Sequence, residues 1–140
     1  MLRLISRWYA KLSYRWGLEV EGEKNVLNAR LAVANAQVKR DFVAQLTAEA
    51  DDIEATITRV EGEEIERKKG DAYQKLSKKE KYEDNRQAQE EKTAAVATMN
   101  QKRDMAKKEA ENVAQIEQSA QYFKGLAANA REVSDKIKRL

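Results

Sequence analysis

Four cations, Arg3, Arg7, Lys11 and Arg15, recur at every fourth position of a stretch that holds no acidic residue before Glu19. Wound as a helix at about 100° per residue, the same stretch gathers Leu2, Ile5, Tyr9, Leu12 and Trp16 within about 80° of one another on the roughly opposite side. Leu4 and Trp8 add apolar area outside that arc. The chemistry open to such a pattern is binding rather than bond-making: apolar side chains enter an acyl boundary, indoles and phenols sit at headgroup depth, and cations meet anionic phosphates. Both tryptophans and four of the nine aromatic residues fall within the first 16 positions, so the side chains that favour an interface are concentrated there. The expected lipid-contacting set is Leu2, Arg3, Leu4, Ile5, Arg7, Trp8, Tyr9, Lys11, Leu12, Arg15 and Trp16, and the expected partner is an anionic lipid membrane. The competing use of this helix is to plug its apolar face into a protein groove, which needs the anchors but not the cations.

Little else in the 140 residues has the chemistry for catalysis. Without His or Cys there is no imidazole base near neutral pH, no thiolate and no zinc site of the usual kind. Ser6, Ser13, Ser77, Ser119 and Ser134 are scattered, with only lysines to activate them, so no enzyme is expected. Asp51 with Asp52 and Glu63 with Glu64 are neighbours that point about 100° apart on a helix, a solvated face rather than a metal site. Gly17 and Gly22 have the glycine spacing of a phosphate-binding loop, but Glu23 stands where Lys is needed and Lys24 where Ser or Thr is. No cofactor, metal or small-molecule substrate is expected.

The net charge of +3 comes from the ends. Residues 1–18 carry four basic side chains, whereas residues 19–61 carry five basic and nine acidic ones, so specific nucleic-acid binding is not expected. The cations of the first 16 residues break any run long enough to span a bilayer, and no continuous apolar core of a secretory signal is visible. The expected location is cytoplasmic, peripheral on the inner face of a membrane.

The elements that must present this helix are themselves helical. Proline is absent and the five glycines are the only strong interruptions, so the chain reads as all-α. The reading is a short amphipathic helix over 1–17 followed by a long antiparallel helical hairpin, a coiled coil, over 18–140. Gly62 and Gly70 mark its turn, and the tip lies around 62–92. Leu27, Leu31, Ala34, Val38, Phe42, Leu46, Ala50, Ile53, Ile57 and Val60 step by three or four, with a mean of about 3.67, and form one narrow apolar stripe. Asp71 followed by Gln74 and Ser77 followed by Glu80 each match a capping box that would start the return helix. Residues 77–92 contain no Leu, Ile, Val, Phe or Met, and the apolar steps resume from Val96, nearing heptad spacing from Val113 to Ile137.

Two helices with alanine along their seam bury little apolar area, so a homo-oligomer is expected to complete the fold. The residues expected to carry self-assembly are Leu27, Leu31, Val38, Phe42, Leu46, Ile53, Ile57, Val60, Val113, Ile116, Phe123 and Ile137. The layout resembles the phage-shock-protein A family, bacterial relatives of the ESCRT-III membrane-remodelling proteins. The stretch from Leu31 to Arg40, rich in alanine and ending in Lys39 and Arg40, is similar to one on that family's first hairpin helix. Gly17 and Gly22 stand where the family has an acidic and proline-containing hinge. The resemblance implies peripheral binding to an anionic inner membrane by residues 1–16 and polymerisation through the hairpin. The function expected is therefore non-enzymatic membrane binding with self-assembly, in membrane maintenance or remodelling. The alternative is a scaffolding coiled-coil subunit of a larger assembly, such as a virion or secretion apparatus.

Overall fold

With no proline to remove a backbone donor, the chain winds into α1 (Leu2–Lys69), the one-turn α2 (Asp71–Gln74) and α3 (Lys78–Arg139). The computed structural model describes residues 2–140, and no strand occurs among them. Gly17, Gly22 and Gly62 do not break α1, and Gly125 does not break α3. A glycine inside a helix costs only about 1 kcal/mol relative to alanine, and the good helix formers around each one outweigh that. Of the expected N-terminal helix over 1–17, the described residues 2–17 run on without interruption into the rest of α1, and the break between Lys69 and Lys78 falls inside the stretch 62–92 expected as the tip.

That break has a definite construction. Gly70, with φ −75° and ψ 154°, leaves the helical region and directs its N–H to the Arg67 carbonyl at 3.1 Å. The Gln74 side chain donates to the Lys68 carbonyl at 2.8 Å, satisfying one of the orphan acceptors at the end of α1. Tyr73 lies under two cations, the Arg67 guanidinium at 5.7 Å and the Lys81 ammonium at 5.4 Å from its ring centre. Of the two expected caps, Ser77 starts the long helix: its hydroxyl accepts from the Glu80 N–H at 3.2 Å. Asp71 instead opens α2, whose N-cap is Gly70 and which has no side-chain cap.

The described chain divides into two compact units, one of Met1–Arg40 with Glu111–Leu140, the other of Asp41–Ala110. In the second unit α1 packs on α3 with the two running in opposite directions. Glu49 pairs with Lys102 at 2.7 Å, Glu54 with Arg103 at 2.6 Å, Glu61 with Lys92 at 2.5 Å and Arg67 with Asp84 at 2.6 Å, so the adjacent Lys102 and Arg103 serve the first two carboxylates and the α3 partner then descends to Lys92 and Asp84 as α1 climbs. The covered apolar positions of α1 here are Val43, Leu46, Ala50, Ile53 and Ile57, stepping by three and four in alternation. Opposite Ile53, Ile57 and Val60 the return helix offers only Ala88, Ala95 and polar residues, which leaves an open groove.

In the first unit the covered positions of α1 continue with the same seven-residue rhythm through Leu18, Gly22, Asn25, Ala29, Ala32 and Ala36. They meet Val113, Ile116, Ala120, Phe123, Ala127, Ala130, Ser134 and Ile137 of α3, and Arg40 pairs with Glu117. The side chains are small because the helices lie close. A β-carbon placed on Gly22 would stand 3.6 Å from that of Ala130.

Two carboxylates of the second unit titrate abnormally. The hydrogen bond from Lys102 and that from Gln45 hold the Glu49 carboxyl below its ordinary range, and the two-pronged bond from Arg67 does the same for Asp84. A depressed folded-state pKa means the unfolded chain takes up protons first, so these pairs stabilise above the ordinary carboxylate range and fail as pH falls through it. Thermal melts at stepped pH are expected to show Tm falling below about pH 4.5. Glu49→Gln with Asp84→Asn should flatten the slope.

Candidate functional site

The first nine described residues, 2–10, are exposed on every side, because α1 runs on past the point where α3 covers it. Leu2 is 85% exposed, Leu4 71%, Ile5 57%, Trp8 63% and Tyr9 68%, values that a folded apolar helix face reaches only when nothing is seated on it. Arg3 and Arg7 share this open stretch. Leu12 and Trp16 also face outward, as does Tyr14, which the sequence pattern had left out of the set.

Lys11 and Arg15 differ from the other two cations. Both are half-buried, and the Arg15 side chain pairs with Glu19 at 3.6 Å while its Nε is buried without a hydrogen-bond partner. The reason is angular. The face that carries Arg3, Arg7, Lys11 and Arg15 is the one that, a few turns later, presents Leu18, Gly22, Asn25 and Ala29 to α3. The expected basic face is thus divided, with two cations open and two lying at the end of the helix seam.

The residues expected to carry self-assembly also divide. Leu46 and Val113 are buried and Ile53, Ile57, Ile116, Phe123 and Ile137 half-buried in the packing of α1 on α3. Leu27, Leu31, Val38, Phe42 and Val60 are exposed. A stripe that steps by about 3.67 residues rotates steadily against a seam that steps by about 3.5. It lies on the far side of α1 at Leu27 and comes round to the seam only by Leu46. The missed residues are small: Ala29, Ala36, Ala50, Ala106, Ala120 and Ala130 are buried, with Asn25 and Ser134 beside them. Ala29, Ala36 and Ala50 on α1 and Ala106, Ala120 and Ser134 on α3 are spaced by seven or fourteen, a signal that would have found them.

Among the described residues no helix is long and apolar enough to cross a membrane, and no cluster of acidic side chains is arranged to hold a metal ion. Compared with known proteins, the chain matches no family model, no curated protein and no solved structure.

Proposed function

We propose that this protein is a non-enzymatic, peripheral membrane protein that lies on anionic bilayers through residues 2–16 and self-associates. In this reading α1 and α3 close as an antiparallel coiled-coil hairpin that carries the lipid-binding helix at one end. The protein works in the cytoplasm, on the inner face of a membrane, as phage-shock-protein A relatives do. The observation that carries the proposal is the open N-terminal stretch of α1: Leu2, Leu4, Ile5, Trp8 and Tyr9 stand free of packing beside Arg3 and Arg7, with no acid nearer than Glu19. Burying such a face in an acyl boundary recovers the hydrophobic free energy that the fold leaves unused.

Trp8 and Trp16, the only tryptophans, report this segment without a label. Both are largely exposed, so their emission is expected to be solvent-like in the free protein. Titration with anionic vesicles should shift it to the blue, and salt should reverse the shift, whereas neutral vesicles should have little effect. Emission that starts blue and ignores lipid would assign the tryptophans to a protein groove and give first place to the scaffold reading.

A further inference from the structure

The open groove of the second unit has an apolar floor and an acidic rim. Ile53, Ile57 and Val60 form the floor, and Val60 stays exposed because α3 lines the groove with no apolar side chain larger than that of Ala88 or Ala95. The space holds about 950 Å³. Around it stand six carboxylates, Asp52, Glu61, Glu63, Glu64, Asp84 and Glu91, against three cations. Arg67 is held by Asp84 and Glu64, and Lys92 by Glu61, which leaves Asp52, Glu63 and Glu91 with no cation paired to them. A lining of this kind suits an amphipathic helix that brings cations and no acid. The chain carries one at its start. Residues 2–16 hold Arg3, Arg7, Lys11 and Arg15 without an acid, and Leu2, Ile5, Tyr9, Leu12 and Trp16 share one exposed side. The groove runs for about 24 Å along α1 from Asp52 to Lys68, and the segment is about 21 Å long, so the two match in length as well as in charge. Both belong to α1, a single helix, so the segment of one copy enters the groove of another.

We infer that, away from a membrane, residues 2–16 of one copy dock with their apolar side on Ile53, Ile57 and Val60 of a second copy. The inference rests on the self-association part of the reading above and gives it a site. Arg3 and Arg7 are clear of α3, and their long side chains can bend round the segment to the carboxylates of the rim. Docking and lipid use the same apolar side, so they compete by design: the groove covers in solution a face that would otherwise stand open to water, and a bilayer draws it out. The contact is heterologous, a segment of one copy filling a groove of the next. An interface about 21 Å long falls in the small, transient class, so it forms in concentrated protein and dissolves on dilution or in salt.

Trp8 and Trp16 report the docking, because the groove itself contains no tryptophan. Without lipid, the full chain at rising concentration is expected to sediment as larger species while its emission moves to the blue, and high salt should undo both; at the dilution of a vesicle titration the emission is solvent-like. Asp52→Lys with Glu63→Lys reverses the rim at two exposed positions, and Arg3→Glu with Arg7→Glu reverses the segment. Each double variant alone should need at least tenfold more protein to associate. Mixed, the two should associate as the unaltered chain does, since each then offers the other a segment and a groove of opposite charge. The proposal is overturned if emission of the unaltered chain does not respond to concentration, if reversing the rim leaves association unchanged, or if the mixture stays apart. Phosphatidylglycerol vesicles added to the dilute rim variant test the membrane reading separately. A blue shift there, with no association of the unaltered chain, sinks the groove alone; association with no lipid shift sinks the membrane reading alone.

Discussion

Replacing Arg3 and Arg7 by glutamate is expected to weaken binding to anionic vesicles by about a thousandfold, since each cation near such a surface contributes about 1 kcal/mol and each reversal both removes an attraction and adds a repulsion. Vesicle co-sedimentation at low salt measures it. Neither residue is packed against α3, so circular dichroism and thermal stability should stay as they are. The same reversal at Lys11 and Arg15 should behave differently. Those side chains lie half-covered at the end of the seam, and Arg15 pairs with Glu19, so their loss is expected to lower stability as well as lipid affinity. If all four positions affect vesicle binding equally and none affects stability, the division of the basic face is wrong.

A second large effect is expected at the glycines. A β-carbon added to Gly17, Gly62 or Gly125 meets nothing within 4 Å, and each glycine lies inside a helix. Gly17→Ala, Gly62→Ala and Gly125→Ala together should stabilise by about 2–3 kcal/mol, because alanine gives up less backbone entropy than glycine on joining a helix. For a chain of this size that raises Tm by about 8 °C. Gly70→Ala is the control: its β-carbon would stand 3.2 Å from the Arg67 carbonyl oxygen, so no gain is expected there. A fall in Tm or in helix content for the triple variant would mean that these positions bend, as the glycine pattern in the sequence suggests.

That contrast marks where the sequence could be read and where it could not. The all-α class follows from composition, because missing proline and abundant helix formers act locally and need no partner. The Ser77 cap is equally local, a hydroxyl and an amide three residues apart. The continuity of α1 was hidden because a glycine costs little in a long helix, and the gain that offsets it comes from neighbours many residues away. The face that packs on α3 was hidden for a related reason. Leu27, Leu31 and Val38 are the larger apolar residues, yet Ala29, Ala36 and Gly22 take the seam, because close approach of two helices selects for small side chains rather than large ones. In the candidate site, residue types and exposure were legible at Leu2, Arg3, Leu4, Ile5, Arg7, Trp8 and Tyr9. The partial cover over Lys11 and Arg15 depends on where α3 ends, which local pattern does not encode.

The alanine seam also determines how the two long helices find their alignment. The α1 seam through Gly22, Ala29, Ala32 and Ala36 offers small side chains at successive turns, so a shift of α3 by seven residues would still set Phe123 against a small residue and would cost less packing than in a seam whose sizes alternate on both helices. What such a shift does lose is charge matching, since Arg40 with Glu117, Glu49 with Lys102, Glu54 with Arg103, Glu61 with Lys92 and Arg67 with Asp84 all part together. Individually, exposed pairs of this kind are worth at most about 1 kcal/mol. Acting in concert they are the teeth of a ratchet whose track is otherwise smooth, and ionic strength is the hand that lifts the pawl.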